Sequence, residues 1–368
     1  MILESHKPLS IDLSKTQYEF STPSDFASQS QSAFIQRAEE SSVFIKAFML
    51  SLFQKSIRQN FIRTMSNSTQ THNAKFTAQN LFDVSNWACV VTGGGTGIGL
   101  MIAQAFANNG ARVYITSRRK SVLDNAVNTW GKSLAHPRGQ LIAIECDITD
   151  KKSIQNLVEE IKGREKNIDV LVNNAGVSLG SSEVEKGDES AEQLGEELFG
   201  EDLVKWEDVY RTNVIGHFFT TAAFIPLLAA TSTVNPGRTA AVINNTSMSG
   251  ITRTTQHHFK YNVSKGAAIH LTTLLAQELR REGANIRVNS VAPGIFPSEM
   301  TAKESDETNK STIPTGDDYG EEKGIPAGRP GRDEDMAQTV LMLACNQYAY
   351  GQVRRRSSLY IQHLPVFP

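Results

Sequence analysis

The sequence predicts an α/β fold, a doubly wound parallel sheet forming a single domain, on three observations. From residue 76 onward, apolar runs of strand length alternate with longer stretches of helical periodicity, the pattern of βαβ units. The strand-like runs are nearly continuous in Val and Ile, as at Val90-Val91, which fits strands covered on both faces. A glycine-rich turn closes the first run and opens a helix, and an open parallel sheet receives its ligands at such strand ends.

The first strand is expected at Ala88–Thr92, followed by Gly93-Gly94-Gly95-Thr96-Gly97-Ile98-Gly99. Glycine at 93, 97 and 99 lets the backbone turn tightly and approach a pyrophosphate with no Cβ in the way. The helix that Ile98 opens, expected over 99–109, offers free N–H groups and a positive dipole end to the same phosphates. The second strand, 111–117, ends in Thr116-Ser117-Arg118-Arg119, 20 residues after Gly97. An acid there would bind the ribose 2′-hydroxyl of NAD. Ser117 and Arg118 stand there instead, and a guanidinium can grip a 2′-phosphate in a two-pronged contact, so NADP(H) is expected over NAD. Arg118 lies nearer the strand end than Arg119.

A helix follows near 121–134, then a strand over 141–146 that ends in Cys146-Asp147-Ile148. Asp147 can accept from an adenine amino group while Ile148 packs on the ring. After a helix over 154–161, the strand 170–172 ends in Asn173-Asn174-Ala175-Gly176, where small residues leave room for an adenosine ribose. A helix over 209–228, a strand over 240–244, a helix over 261–282 and a strand over 286–291 complete the alternation. The stretch 181–208 interrupts it with eleven acids and two lysines, and is expected to be a solvated surface insertion; a gating or partner-binding role is the alternative.

Chemistry is carried by Tyr261-Asn262-Val263-Ser264-Lys265. Residues four apart share a helix face. A phenol with its ordinary pKa near 10 is a poor acid–base catalyst at neutral pH, and an adjacent ammonium should lower that value. Tyr-x-x-x-Lys alone is common by chance. It gains force from Ser247, fourteen residues upstream at the end of an apolar strand, which can bind a carbonyl oxygen and stabilise charge developing on it.

Together these segments resemble the short-chain dehydrogenase/reductase family, over roughly residues 76–352. The motifs are Thr92-Gly93-x-x-x-Gly97-Ile98-Gly99, Asn173-Asn174-Ala175-Gly176, Asn213 in Arg-Thr-Asn-Val, Ser247, Tyr261 with Lys265, and Pro293-Gly294. The resemblance implies a Rossmann-type domain and a tetrad of Asn213, Ser247, Tyr261 and Lys265. In it Tyr261 is the general acid for carbonyl reduction, Ser247 orients the carbonyl, and Lys265 tunes Tyr261 and binds the nicotinamide ribose. Asn213 kinks its helix and holds a water that relays protons to Lys265. The stretch 293–301 is implied to contact the nicotinamide carboxamide, with Ile295 as the backbone contact, and its wording is similar to 3-oxoacyl-thioester reductases. The resemblance also implies a homo-oligomer acting on a small carbonyl or alcohol. Substrate choice is expected from 300–329, read as a mobile lid, and His257 and His258 are expected to border the substrate.

One departure stands at the end. After Tyr348-Ala349-Tyr350-Gly351-Gln352-Val353 the family pattern continues into a last strand, but here Arg354-Arg355-Arg356 follows. Three arginines are incompatible with a buried strand unless paired. Residues 354–368 are therefore expected to form an atypical tail outside the domain.

Composition bounds the alternatives. The 368 residues would suggest two or three domains at roughly 150 each. The pattern instead assigns 76–353 to one domain, behind a largely disordered extension over 1–75. Within that extension 43–65 reads as a basic amphipathic helix. With 37 basic and 39 acidic residues there is no basic excess for nucleic acid. No apolar run approaches the roughly 18 residues of a membrane span. Three scattered cysteines fit a reducing compartment and suggest no metal site. A cytoplasmic protein is expected, because transit peptides are acid-poor and six acids precede residue 41; a start near Met49 would expose a transit-like segment for mitochondria. Two functions fit: a carbonyl reductase, or a catalytically idle NADP(H)-binding sensor on the same fold.

Overall fold

The structure, a computed structural model, describes residues 42, 45–46, 48–59, 71–184, 187, 189–316, 319–322, 324–325, 327–351 and 353–356. The disorder expected before residue 42, the end of the expected basic helix at 60–65, and the tail beyond 356 lie outside the described residues. Contacts divide the chain into Met1–Thr77 and Ala78–Pro368. In the first unit residues 48–59 form the expected helix, with Phe48, Leu52, Phe53 and Ile57 exposed.

The second unit is built on seven parallel strands: β1 Ala88–Thr92, β2 Arg112–Ser117, β3 Gln140–Glu145, β4 Val170–Asn173, β5 Ala241–Asn245, β6 Arg287–Pro293 and β7 Val353–Arg356. Their order is β3-β2-β1-β4-β5-β6-β7. Strand residues alternate between the two faces, and both faces are covered. Cys89, Val91, Val113, Ile115, Val170, Val172 and Ile243 pack with helices α1 (Gly97–Asn108), α2 (Lys120–Trp130) and α8 (Asp333–Cys345). Val90, Tyr114, Leu171, Val242 and Val288 pack with α3 (Lys151–Lys162), α6 (His217–Val234) and α7 (Phe259–Glu278) on the other face. This is the doubly wound sheet that the alternation predicts.

Three local features add to the expectation or depart from it. The insertion folds: Ser190 and Asp202 cap two helices, α4 (Ala191–Phe199) and α5 (Leu203–Tyr210), by accepting from first-turn N–H groups. The helix expected over 209–228 is not uniform, because a π-helical turn, Arg211–Gly216, joins α5 to α6. The resulting stretch Leu203–Val234 has 32 residues and contains an 18-residue window of mean hydropathy 1.6, long and apolar enough to cross a membrane by length and composition. The sequence reading missed that length because it weighed shorter apolar runs. Val209, Phe224 and Leu228 of this stretch are buried in the domain, so its apolar character serves a core.

The third departure is at the C-terminus. Arg354–Arg356 do not leave the sheet: the β7 backbone pairs in parallel with β6, Ser290 opposite Val353 and Pro293 opposite Arg356. β7 is the edge strand, where charged residues are common because only one side of the strand must be paired. Helix α8 had no counterpart in the sequence reading. Its C-terminal carbonyls at Leu343 and Ala344 accept from the buried guanidinium of Arg287, which begins β6.

Candidate active site

The chain winds outward from β1 through β2 to β3, then returns to place β4 on the other side of β1. The crevice at that reversal, outside the carboxyl ends of the strands, is where such sheets bind ligands. A cleft of about 750 Å³ opens there.

Its floor is the glycine loop. Gly93 and Gly97 have φ of 63° and 49°, conformations that an L side chain adopts only under strain. A Cβ on Gly99 would run into the Gly93 carbonyl, and one on Gly97 would come within 2.8 Å of Ser298 Cβ. Thr96 precedes α1 without a side-chain cap, and the first turn carries no acid. Thr96, Gly97, Ile98 and Gly99 all line the cleft, so the free N–H groups of an uncapped helix end meet it. This arrangement fits a pyrophosphate.

Asn174 stands beside this loop and does not face a ligand with its amide. Its Nδ2 donates to the carbonyls of Thr92 and Gly93 at 2.9 and 3.1 Å, and its Oδ1 accepts from Asn245 Nδ2 at 2.8 Å. Thr92 Oγ1 accepts from the N–H groups of Asn174 and Ala175 at 3.0 and 3.1 Å. Asn174 therefore braces the loop, while Ala175 and Gly176 line the cleft with small surfaces.

Farther along, Ser117, Arg118, Asp147 and Ile148 line one end of the cleft. Arg119 is bound in a two-pronged pair to Glu299, at 3.1 and 2.6 Å. Arg118 is exposed and forms no ion pair among the described residues. Asp147 Oδ1 accepts from the N–H and hydroxyl of Thr149 at 2.9 and 2.8 Å, which fixes the carboxylate at the strand end.

At the other end Ser247, Tyr261 and Lys265 line the same cleft. Ser247 follows β5 and its Oγ accepts from Ser249 N at 3.1 Å, so its hydroxyl proton is turned elsewhere. Tyr261 and Lys265 lie one turn apart on α7, with Lys265 Nζ 5.6 Å from the Tyr261 ring centroid. Lys265 is buried and donates to the Asn245 carbonyl at 2.9 Å. Burial pulls its pKa down to about 8. The expected lowering of the Tyr261 pKa is not what the site produces. Burial pushes that phenol up, and a hydrogen bond with Ser247 offsets only part of the rise. The Lys265 ammonium lies over the ring, 5.6 Å from its centroid, and does not reverse the cost of burying a phenolate.

Asn213 lies behind the cleft, fully buried in the π-helical turn. Its Oδ1 accepts from Val177 N and its Nδ2 donates to Val177 O, both at 2.9 Å, and it also donates to Ser264 Oγ at 3.0 Å. The expected kink is thus present as a π turn. The side chain is spent on fixing the segment after Gly176.

A family model described as short chain dehydrogenase matches residues 87–309. The chain belongs to the short-chain dehydrogenase/reductase family. PhomF of Diaporthe leptostromiformis, a member by name, is 35% identical over 277 residues, 74% of this chain and 90% of that protein. The rhamnolipids biosynthesis 3-oxoacyl-(acyl-carrier-protein) reductase of Pseudomonas aeruginosa is 33% identical over 270 residues, 73% of this chain and 93% of that one. Among solved structures, the Pseudomonas aeruginosa RhlG/NADP active-site complex superposes with a TM-score of 0.60 at 30% identity, covering 75% of this chain and 96% of that one. The chain is accordingly an oxidoreductase of this family, with a nucleotide-binding fold.

Two short-chain dehydrogenase site expectations need correction. Ile295 does not line the cleft; its carbonyl accepts from Gly331 N at 2.9 Å, and Pro293, Gly294 and Phe296 form the wall instead. The polar stretch after Met300 is not simply a loose lid. Asn309 donates to the carbonyls of Gly95 and Val122 at 3.0 and 2.8 Å, which straps it to the glycine loop and α2. Sequence reasoning also missed His217, buried at the start of α6 with Nε2 2.7 Å from the Ala175 carbonyl. No local pattern announces such a residue, since its partner lies 42 positions away. His258, expected beside the substrate, does line the cleft.

Proposed function

We propose that the protein is an NADP(H)-dependent oxidoreductase that interconverts a ketone and a secondary alcohol. The observation that carries this reading is the continuity of one cleft. It runs from the uncapped end of α1 and from Arg118, which has no ion pair among the described residues, to Ser247, Tyr261 and Lys265. A binder without turnover has no need of a serine hydroxyl and a half-buried phenol at the far end of its nucleotide cleft.

The bound nicotinamide would supply or accept a hydride. The chain's own groups do the rest. The N–H groups at Gly97–Gly99 hold pyrophosphate, Arg118 and Ser117 hold the 2′-phosphate, Asp147 and Ile148 receive adenine, and Ala175 and Gly176 border the ribose. The Lys265 ammonium, aimed by the Asn245 carbonyl, reaches toward the nicotinamide ribose. Ser247 donates to the substrate carbonyl oxygen, and Tyr261 delivers its phenolic proton to that oxygen in the reduction direction. A phenol carries its proton at neutral pH, so Tyr261 can serve as the acid, while burial, by pushing its pKa up, makes that proton harder to give. The relative from Pseudomonas aeruginosa is named as a 3-oxoacyl reductase, and that name together with the 293–301 wording supports 3-oxoacyl thioesters as the first substrates to try.

The test is NADPH oxidation by purified protein with a panel of ketones and 3-oxoacyl thioesters. Tyr261→Phe should lower turnover by at least about a hundredfold, the scale of a lost general acid, and leave NADPH binding within about twofold. Tight NADPH binding with no turnover across the panel would instead identify a nucleotide sensor.

A further inference from the structure

The acidic insertion meets the catalytic helix at a largely buried ion pair. Lys260, the residue before Tyr261, is only 3% exposed, and its Nζ lies 3.2 Å from Glu201 Oε2. Glu201 belongs to the link between α4 and α5. The same oxygen accepts from Trp206 Nε1 at 2.7 Å, and the Ser182 side chain lies near the carboxylate. Burial alone would raise the Glu201 pKa, but its polar neighbours Ser182, Trp206 and Lys260 outweigh it and hold the carboxyl below its ordinary value. Ser182 is buried too, and its N–H donates to the His257 carbonyl at 2.6 Å.

These contacts bear on the cleft wall. Val177, Ser178, Leu179, Gly180 and Ser181 line the cleft next to Tyr261 and His258. The near end of this wall is fixed where Asn213 holds both backbone groups of Val177. The far end is fixed where the Ser182 N–H donates to the His257 carbonyl, next to Glu201. Between the ends Leu179 is left-handed at φ 53°, and across the contact Gln256 and His257 are left-handed at 53° and 58°. Such backbone persists only where its surroundings over-determine it. A buried ion pair is a weak device for stability, since desolvation cancels much of its attraction, but it is well suited to fixing one arrangement.

We propose that Glu201 is a positioning residue, whose buried contact with Lys260 clamps the insertion to the first turn of the catalytic helix and so sets the substrate wall over 177–182. This rests on the reductase reading, in that the wall faces the substrate end of the cleft. The nucleotide end is built from other elements and is independent of the clamp.

The experiment uses the full chain and three variants: Glu201→Gln, Glu201→Asp, and the double change Glu201→Gln with Lys260→Met. Glu201→Gln keeps the size but strands a buried ammonium. Its kcat/KM for the best ketone should fall about tenfold or more, the scale of a small misplacement of reacting groups. The Kd for NADPH should stay within about twofold, and amide exchange over 177–182 should quicken. Glu201→Asp should recover part of the activity. The double variant removes the stranded charge, so its Tm should return while kcat/KM stays low and the wall stays fast-exchanging. If kcat/KM returns together with Tm, Glu201 is merely a stabilising residue and the proposal falls. It also falls if exchange over 177–182 is the same in all variants. A wild-type protein that turns over no ketone would sink the reductase reading, and the exchange measurement would then decide the clamp alone.

Discussion

The Lys265 ammonium donates at 2.9 Å to the main-chain carbonyl of Asn245, whose own side chain donates at 2.8 Å to Asn174. Asn174 in turn grips the Thr92 and Gly93 carbonyls. One chain of hydrogen bonds therefore joins the reacting end of the cleft to the turn that would receive the pyrophosphate. That chain runs through Asn245 and Asn174 and does not pass through Glu201 or Lys260.

Removing the middle of that chain should be felt at the nucleotide. Asn174→Ala deletes two donors and one acceptor in a partly buried place, a loss of about 1–3 kcal/mol. We expect the Kd for NADPH to rise about tenfold or more and Tm to fall. Fluorescence titration with NADPH checks this, and an unchanged Kd would show that the loop holds its shape without the brace.

Lys265 is costly to bury, and that cost depends on pH. Its pKa in the fold is about 8, below the ordinary 10.5. The unfolded chain thus keeps this proton between pH 8 and 10.5 while the folded chain releases it. Through this group, stability rises with pH across that window. At pH 7 the buried charge costs up to about 3 kcal/mol, offset in part by the bond to Asn245. Lys265→Met should abolish turnover without lowering Tm at pH 7. Its advantage over wild type should shrink between pH 8 and 10, as urea unfolding at the two pH values would show. A variant much less stable at pH 7 would mean the hydrogen bond outweighs burial.

The neighbouring arginines should separate cleanly. Arg119 is committed to Glu299, whereas Arg118 has no ion pair among the described residues. Arg118→Ser should weaken NADPH binding about tenfold to a hundredfold and leave NADH binding nearly unchanged, because only the 2′-phosphate differs. Arg119→Ser should cost much less NADPH affinity. Equal losses of NADPH and NADH with Arg118→Ser would remove the basis for an NADP(H) preference.

What was readable in advance is what has a local signature. Gly93 and Gly97 are announced by their spacing because their positive φ excludes other residues, and Tyr261 with Lys265 by one helical turn. The sheet was readable because buried parallel strands must be apolar over consecutive positions. Residues whose partners are far along the chain were not readable: Asn245 with Asn174, His217 with Ala175, and Glu201 with Lys260, 59 positions apart. β7 was hidden for a different reason, since an edge strand needs no apolar pattern to pair its backbone. The pKa of Tyr261 was misjudged because spacing reveals a neighbouring charge but not the burial that opposes it.

His217 gives the fold a pH signature on the acid side. It is buried against the Ala175 carbonyl, and its Nδ1 has no hydrogen-bond partner among the described residues. Burial, with the nearby Lys265 charge second, pulls its pKa down to about 4; the bond to the Ala175 carbonyl opposes this only in part. The ring is therefore neutral in the fold at pH 6, with Nε2–H donating to that carbonyl. Unfolded, it titrates at its ordinary value of 6.5. Between pH 6.5 and 4 the unfolded chain binds the extra proton, so stability is full above 6.5 and is lost as pH falls through the window. The shift corresponds to about 3 kcal/mol at most. His217→Gln keeps a donor for the Ala175 carbonyl but cannot be protonated. Its unfolding free energy should be lower than wild type at pH 7 and approach it near pH 4.5. Parallel pH profiles for the two proteins would mean that the imidazole takes up its proton in the fold as readily as in water.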